Sequence, residues 1–246
     1  MAVKASKDVA FFLIGGRDVL GSLTEIEDKG VEAVIQETNP FGIAWGTHEF
    51  VGIRNWGLTQ RGFLDDAAGA VHDALSTGPG VSRVLCYGIG GTATGAQFIG
   101  AAGAMQVNYN RIFTRNELSK AEAEYNGNGP VDYNGKIIRT YKVHASTGRT
   151  TATPLGELAS STGGVGYLQY NATAGEANIR MIHSSDDVTY ATLFTFSKTA
   201  SGFGAERLTT TGVIERYTAY DVTTASATGA ITALNAFMGL SRGYSS

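Results

Sequence analysis

Only one stretch of this chain carries apolar residues at helical period, and it is short. From Phe63, apolar side chains recur at Ala67, Ala70, Val71, Ala74 and Leu75, offsets of 4, 7, 8, 11 and 12 that share one face at 3.6 residues per turn. Asp65 and Asp66 stand where they would cap the N-terminus and complement its dipole, and Gly78-Pro79 ends the run. The spacing predicts a helix over 63–76, Ala-rich and dependent on a sheet to pack against. The rest must be strands and turns. The fold class is therefore mainly β, a β-sandwich or barrel-like fold with one short helix, with room for two related β domains.

Strand patterns recur throughout. Residues 11–16 read as a strand closing in the turn Gly15-Gly16, and 53–63 alternate as a half-exposed strand does. Further strands are expected at 81–89, at 104–113 (Met105, Val107, Tyr109 and Arg111 alternating with polar neighbours) and at 137–143. Residues 114–135 end in Asn126-Gly127, Asn128-Gly129-Pro130 and Asn134-Gly135, all turn signals. They predict a long projecting hairpin or arm, and long connections in compact domains tend to carry function. Its candidate contact residues between subunits are Arg115, Glu117, Lys120, Tyr125, Asn128 and Tyr133.

Ser, Thr and Gly dominate 145–164, the best linker. After it come strands at 165–170, 177–183, 189–197, 206–220 and 229–237, spaced as in a sandwich. The expected organisation is an N-terminal β domain over 1–144, with the helix and the arm, a linker at 145–164, and a C-terminal β-sandwich over 165–246. No strict repeat relates the halves.

Composition narrows the function. Hydrophobic residues make up 43% of the 246, enough for a sizeable core, which excludes disorder. There are 33 Gly, and charged residues are only 17%, against about 25% in ordinary soluble domains. Net charge is −3 with no basic run, which argues against binding nucleic acid by phosphate neutralisation. Cys86 is the single cysteine, so it can form no internal disulfide and no zinc site. It reads as a small buried apolar residue. No run approaches the roughly 18–20 apolar residues of a membrane span. Residues 10–14 are too few for a secretory h-region. Folding in a cytoplasm, with no membrane partner, is the expectation.

Motifs for chemistry are weak. Gly88, Gly90 and Ala93 fit the loose dinucleotide pattern, yet Thr94-Gly95-Ala96 is a poor helix start, and no acid lies about 20 residues on. A Gly-rich loop at a subunit contact fits better. His48, His72, His144 and His183 share no metal spacing. His183-Ser184-Ser185-Asp186-Asp187 reads as a strand end and turn, because triad partners converge in space rather than in sequence. Asp65-Asp66 and Asp186-Asp187 are explained as a helix start and a turn. Asn171-Ala172-Thr173 is a sequon without a secretory context. No catalytic residue, cofactor or metal is expected.

Phe41-Gly42-Ile43-Ala44-Trp45, followed by Gly62-Phe63-Leu64-Asp65-Asp66 and a short helix, resembles the tail tube proteins of long-tailed, siphovirus-like bacteriophages. The C-terminal half is similar to a pattern in tail proteins of such phages. It runs through Gly163-Gly164, Tyr167-Leu168-Gln169, His183-Ser184-Ser185-Asp186, Tyr190 to Phe196, Gly204-Ala205-Glu206-Arg207, Gly212 and Arg216-Tyr217.

The resemblance implies subunits that close into rings, trimeric or hexameric, which stack into a hollow tube. Its partners would be itself, other tail proteins and, transiently, the DNA passing through. Its location would be the virion tail, with the host cytoplasm before assembly. Ring closure needs head-to-tail interfaces, and exposed sheet edges supply them. Few charges and many glycines suit such surfaces, and a weakly acidic chain does not retain DNA. Glu25, Glu27, Asp28 and Glu32 are the candidate lumen-facing acids. Two alternatives remain: another virion structural protein (tail terminator, baseplate ring or capsid decoration), and a carbohydrate-binding sandwich using Trp45 and Trp56.

Overall fold

A computed structural model describes residues 9–38, 47–67, 70–144, 148–149, 153–154, 159–174, 177–198, 202–224 and 232–243. The first half contributes β1 (Val9–Ile14), β2 (Arg17–Asp18), β3 (Leu23–Thr38), β4 (Thr47–Phe63), α1 (Val71–Ser76), β5 (Ser82–Ile89), β6 (Gln97–Ile112), β7 (Lys120–Gly127) and β8 (Val131–His144). The second contributes β9 (Gly148–Arg149), β10 (Thr153–Pro154), β11 (Gly164–Ala174), β12 (Ala177–Ser184), β13 (Ala191–Lys198), β14 (Gly202–Thr210), β15 (Tyr217–Thr224) and β16 (Thr232–Arg242). The mainly-β class with one short helix is what the chain adopts.

The strands form two sheets. One runs β14-β11-β16-β8-β6-β5-β1-β2, with β7, β4 and β3 added in turn beyond the far half of β6. The other holds β15, β12 and β13, with β9 and β10 on β15. Strands from both sides of 145–164 are direct neighbours, since β8 pairs with β16 from Leu234↔His144 to Leu240↔Lys136.

Three apolar cores explain why several strands read as unbroken hydrophobic runs. Side chains alternate between the two faces of a strand, and here both faces are covered. On β1, Phe12 and Ile14 enter one core while Phe11 and Leu13 enter the next. On β5, Leu85 and Tyr87 take the first side and Cys86 the second. On β11, Val165 and Tyr167 join the middle core, and Leu168 and Ala172 the third. On β16, Phe237 points to the middle while Leu234, Ala236, Met238 and Leu240 point to the third. The order is thus α1 with β4 and β7, a core, β1-β5-β6, a core, β8-β16-β11, a core, and the small sheet. Each fully buried Phe or Leu contributes about 1.5–3 kcal/mol.

The middle core is where the large sheet curls onto itself. Phe98 packs edge-on against Tyr167 and Phe237. It does so because Gly135 and Gly239 leave room, and a Cβ at either would come within 2.2 or 2.4 Å of its ring. Two buried polar side chains cross the same gap. The Tyr167 hydroxyl lies 3.1 Å from Gly100 O, and Gln169 Nε2 donates to Val84 O at 2.9 Å.

Two expectations are corrected. The helix occupies 71–76 rather than 63–76, because Phe63 is the last residue of β4 and pairs with Lys120. Ladder hydrogen bonds hold that segment extended. Asp65 accepts Ala67 N at 3.0 Å in a local turn, and Ala70 is the N-cap with no side-chain hydrogen bond. Val71, Ala74 and Leu75 form the buried face, as their spacing indicates.

Residues 114–135 are not a free arm. Residues 120–127 and 131–136 lie antiparallel along β6 from Ile112↔Lys120 to Gln97↔Lys136. The Asn128-Gly129-Pro130 signal kinks this run, and the ladder continues through it. Asn128 N donates to Gly103 O, and Ala102 N to Pro130 O. The hairpin turn lies instead at 113–119, where Asn116 has φ 65°.

Candidate assembly surface

The outer four-strand portion, β3-β4-β7-β6, covers α1 and the first core with one face and presents charge on the other. Register sets this up. Glu25 lies opposite Arg61, and Arg61 opposite Glu122, while Thr59 separates Glu27 from Glu124. Arg61 is the hub. Its Nε is 2.6 Å from Glu122, and its Nη1 is 3.0 Å from Glu25 and 3.6 Å from Glu27. Lys29 Nζ binds Glu124 at 2.7 Å, and Asn108 Nδ2 donates to the other Glu124 oxygen at 3.2 Å. Hydrogen bonding, to Glu122 above all for Arg61 and to Glu124 for Lys29, raises the pKa of both cations. Four carboxylates face two cations in this cluster, an acid surplus on an exposed sheet face.

Asp28 belongs to the opposite face. It accepts Trp56 Nε1 at 3.1 Å and Gly30 N at 2.8 Å, and the Tyr87 hydroxyl donates to its other oxygen. Burial, and then this bond to Asp28, drives the Tyr87 pKa up. The run Glu25-Glu27-Asp28-Glu32 is therefore split. Glu25, Glu27 and Glu32 are exposed, while Asp28 is half-buried under aromatic donors. Strand alternation makes the split, and the acid-rich composition of the run hides it.

Two features project. In β3 and β4, pairing continues from Val31↔Trp56 out to Thr38↔Thr47, but β7 accompanies β4 only from Gly57 onward. The outer part is a two-stranded ribbon of about 25 Å at about 3.3 Å per residue. Among the described residues β3 pairs with no strand other than β4, so its other edge is open. At the opposite end of the same strands, the 113–119 turn displays Phe113 (67% exposed) and Leu118 (69%) beside Ile112.

The residues expected on an arm separate accordingly. Arg115, Glu117 and Lys120 are exposed at this turn, with Lys120 3.6 Å from Glu117. Asn128 is exposed at the kink, and Tyr133 is half-buried on β8. Tyr125 is fully buried in the first core. Sequence reading missed the ribbon, although the alternation of 53–63 was its visible part. Phe41 to Trp45, the first passage of the tail-tube resemblance, lies outside the described residues.

The chemical motifs resolve into structure. Gly88 lies inside β5, with Phe11 where its Cβ would be, and β6 rather than a helix follows the Gly90 loop. His72 Nδ1 meets the Tyr109 hydroxyl at 2.9 Å, and His183 Nδ1 accepts Glu215 N at 3.1 Å. Asp186 ties a turn by accepting Thr189 N and Val188 N, each at 2.9 Å, and Ser184 Oγ at 2.7 Å. These bonds, with Thr189 first, pull its pKa down to about 2. Trp56 is 4% exposed and cannot form a sugar-stacking platform. Trp45 lies outside the described residues. Among the described residues no group of three His, Cys, Asp or Glu could hold a metal ion, and no helix is long and apolar enough to cross a membrane.

No protein-family model matches the chain, and no curated protein matches it. Solved structures do show partial likeness. A protein in the tail of an empty gene transfer agent particle, refined with C6 symmetry, aligns at 14% identity and a TM-score of 0.39 over 53% of this chain and 98% of that one. The SPP1 Dit protein, described as a paradigm of the hub adsorption apparatus in phages infecting Gram-positive hosts, aligns at 9% identity and a TM-score of 0.33 over 94% of this chain and 97% of that one. A protein of the phage p2 baseplate in its activated conformation aligns at 8% identity and a TM-score of 0.31 over 96% of this chain and 99% of that one.

Proposed function

We propose that the chain is a structural protein of a phage-type virion tail, whose copies close into rings that stack as a hollow tube conducting the genome during ejection. The carrying observation is the β3–β4 ribbon with its open edge. A two-stranded ribbon is marginal by itself in water, and an unpaired edge invites a further strand. A second copy supplies both needs. A contact between two different surfaces of identical chains propagates as a ring or a stack according to whether its rotation closes.

The acid-surplus face around Glu25, Glu27, Glu122 and Glu124 suits the channel wall. Phosphates are repelled there, so DNA passes without being held. The shortage of charge elsewhere leaves surface for neighbouring subunits and other tail proteins. Negative-stain microscopy of the purified chain tests this reading. Stacked rings with a central channel are expected. Single rings that never stack would move the assignment to a terminator or baseplate ring, and a monodisperse monomer at all concentrations would end it.

A further inference from the structure

Near the end of β12, His183 meets the loop that leads into β15. Its Nδ1 lies 3.1 Å from the Glu215 backbone nitrogen. A backbone N–H can only donate, so Nδ1 holds a lone pair and the ring proton sits on Nε2. The imidazole is neutral in this contact. The same loop, residues 211–216, is fastened at two other places. Ile214 exchanges both backbone hydrogen bonds with Ser160, at 2.8 and 2.9 Å. Arg242 on β16 donates to the carbonyls of Ile214 at 3.2 Å, Glu215 at 2.7 Å and Arg216 at 3.2 Å. These bonds hold Ile214, which is fully buried in the third core. Gly164 leaves room for it, since a Cβ there would come within 2.5 Å of the Ile214 Cδ1. Thr211, Gly212, Val213 and Arg216 on the same loop are exposed.

We propose that His183 is a proton-operated latch, whose protonation loosens the 211–216 loop and lets Ile214 leave the third core. An imidazolium carries a proton on both nitrogens. The Glu215 N–H then loses its acceptor and faces a donor. The charged groups acting on the ring are the Glu215 carboxylate, from the loop itself, and the Arg242 guanidinium, from β16. Thr218 and Ala191, opposite it on β15 and β13, carry no charge. On the turn after β12, Asp186 is bound by Ser184, Val188 and Thr189, and Asp187 by Tyr190. Protonation thus places a cation beside Arg242, the side chain that grips the same loop.

Burial is the largest influence on the ring. It outweighs the pull of Glu215 and, together with Arg242, holds the His183 pKa below its ordinary 6.5. Once the loop opens, the ring meets water and regains the ordinary value. The open state therefore binds the proton more readily. The latch is fully shut above about pH 6.5 and loosens as pH falls through that value. This device is independent of how copies of the chain assemble.

Hydrogen exchange of the full chain, read by mass spectrometry across this pH range, tests the latch. Rates are corrected for the intrinsic pH dependence of exchange. Protection of 211–217 is expected to fall by up to about tenfold per pH unit below about 6.5, while β1 and β5 stay protected. His183→Asn keeps an acceptor near the Nδ1 position that does not titrate, and its loop should show no step. Glu215→Gln removes the carboxylate that favours the imidazolium and should move the step to lower pH. A parent without a step, or a step unchanged in both variants, overturns the proposal. A fall of equal size throughout the chain is global acid unfolding and overturns it as well.

Discussion

Gly16 donates its backbone N–H to Gln169 Oε1 at 2.6 Å, a bond between residues 153 positions apart. The same side chain gives its Nε2 to Val84 O. Gln169 is fully buried, so one amide joins the β1–β2 turn, β5 and β11 where the sheet closes on itself. A Cβ at Gly16 would sit 2.2 Å from Tyr170 O, and its φ is +87°. The turn can approach β11 only as glycine.

Gln169→Leu keeps the volume and leaves the Gly16 N–H without its partner, while the Val84 carbonyl keeps the Gly15 N–H at 3.1 Å. An unsatisfied buried group costs about 1–3 kcal/mol, and a loss in that range is expected. Urea unfolding measures it. A midpoint unchanged from the parent would show that the amide does not tie the β1–β2 turn to β11.

Two ion pairs of opposite burial should behave differently. Asp132 and Arg207 are 9% and 13% exposed and 3.6 Å apart, and the Tyr167 hydroxyl also donates to Asp132. Asp132→Ala removes the carboxylate beside a mostly buried guanidinium that keeps the Tyr167 hydroxyl at 3.2 Å, and should cost about 3 kcal/mol, the low end for breaking a buried pair. Arg61→Ala removes a hub that is 40% exposed and should cost about 1 kcal/mol or less, fading with salt. Equal losses in thermal melts would refute the ranking.

Asp28→Asn removes the charge from the acceptor of Trp56 and Tyr87. Hydrogen bonds to charged groups are worth about 1.5–3 kcal/mol, and a loss at the low end of that range is expected. The Trp56 indole N–H resonance reports it directly and should shift upfield as its bond weakens. An unmoved resonance would mean that the carboxylate is not its partner.

Cys86 is the only thiol, and burial pushes its pKa from 9.0 up to about 12. At pH 8 the native state therefore holds about a thousandfold less thiolate than the unfolded chain. A disulfide reagent should react only after denaturation. The sign for stability follows from proton binding: the folded state keeps its proton longer. This contribution is complete below pH 9 and is lost as pH rises from 9 toward 12. Buried Tyr87, Tyr125, Tyr167 and Tyr220 shift upward as well and act in the same direction. Rapid thiol modification of the native protein at pH 8 would contradict the burial.

Local chemistry was legible in the chain from the start. The apolar strand run at 11–14, the Gly15-Gly16 turn, the apolar face of Val71, Ala74 and Leu75, and the Asp186 turn all follow from side chains acting on their own backbone. What tertiary structure decided is pairing. Phe11 and Phe12 are both apolar, so no pattern shows that they enter different cores; only strands on both sides of β1 do that. The turn signals at 126–135 read as an arm because Asn-Gly and Pro bend a chain locally, whereas β6 alongside turns that bend into a kink within one ladder. Phe63 has the spacing of a helix and the bonding of a strand, and hydrogen bonds to β7 outweigh a propensity of tenths of a kcal/mol per residue. The ribbon and its open edge appear only once register is set, because each depends on which residue stands across from which.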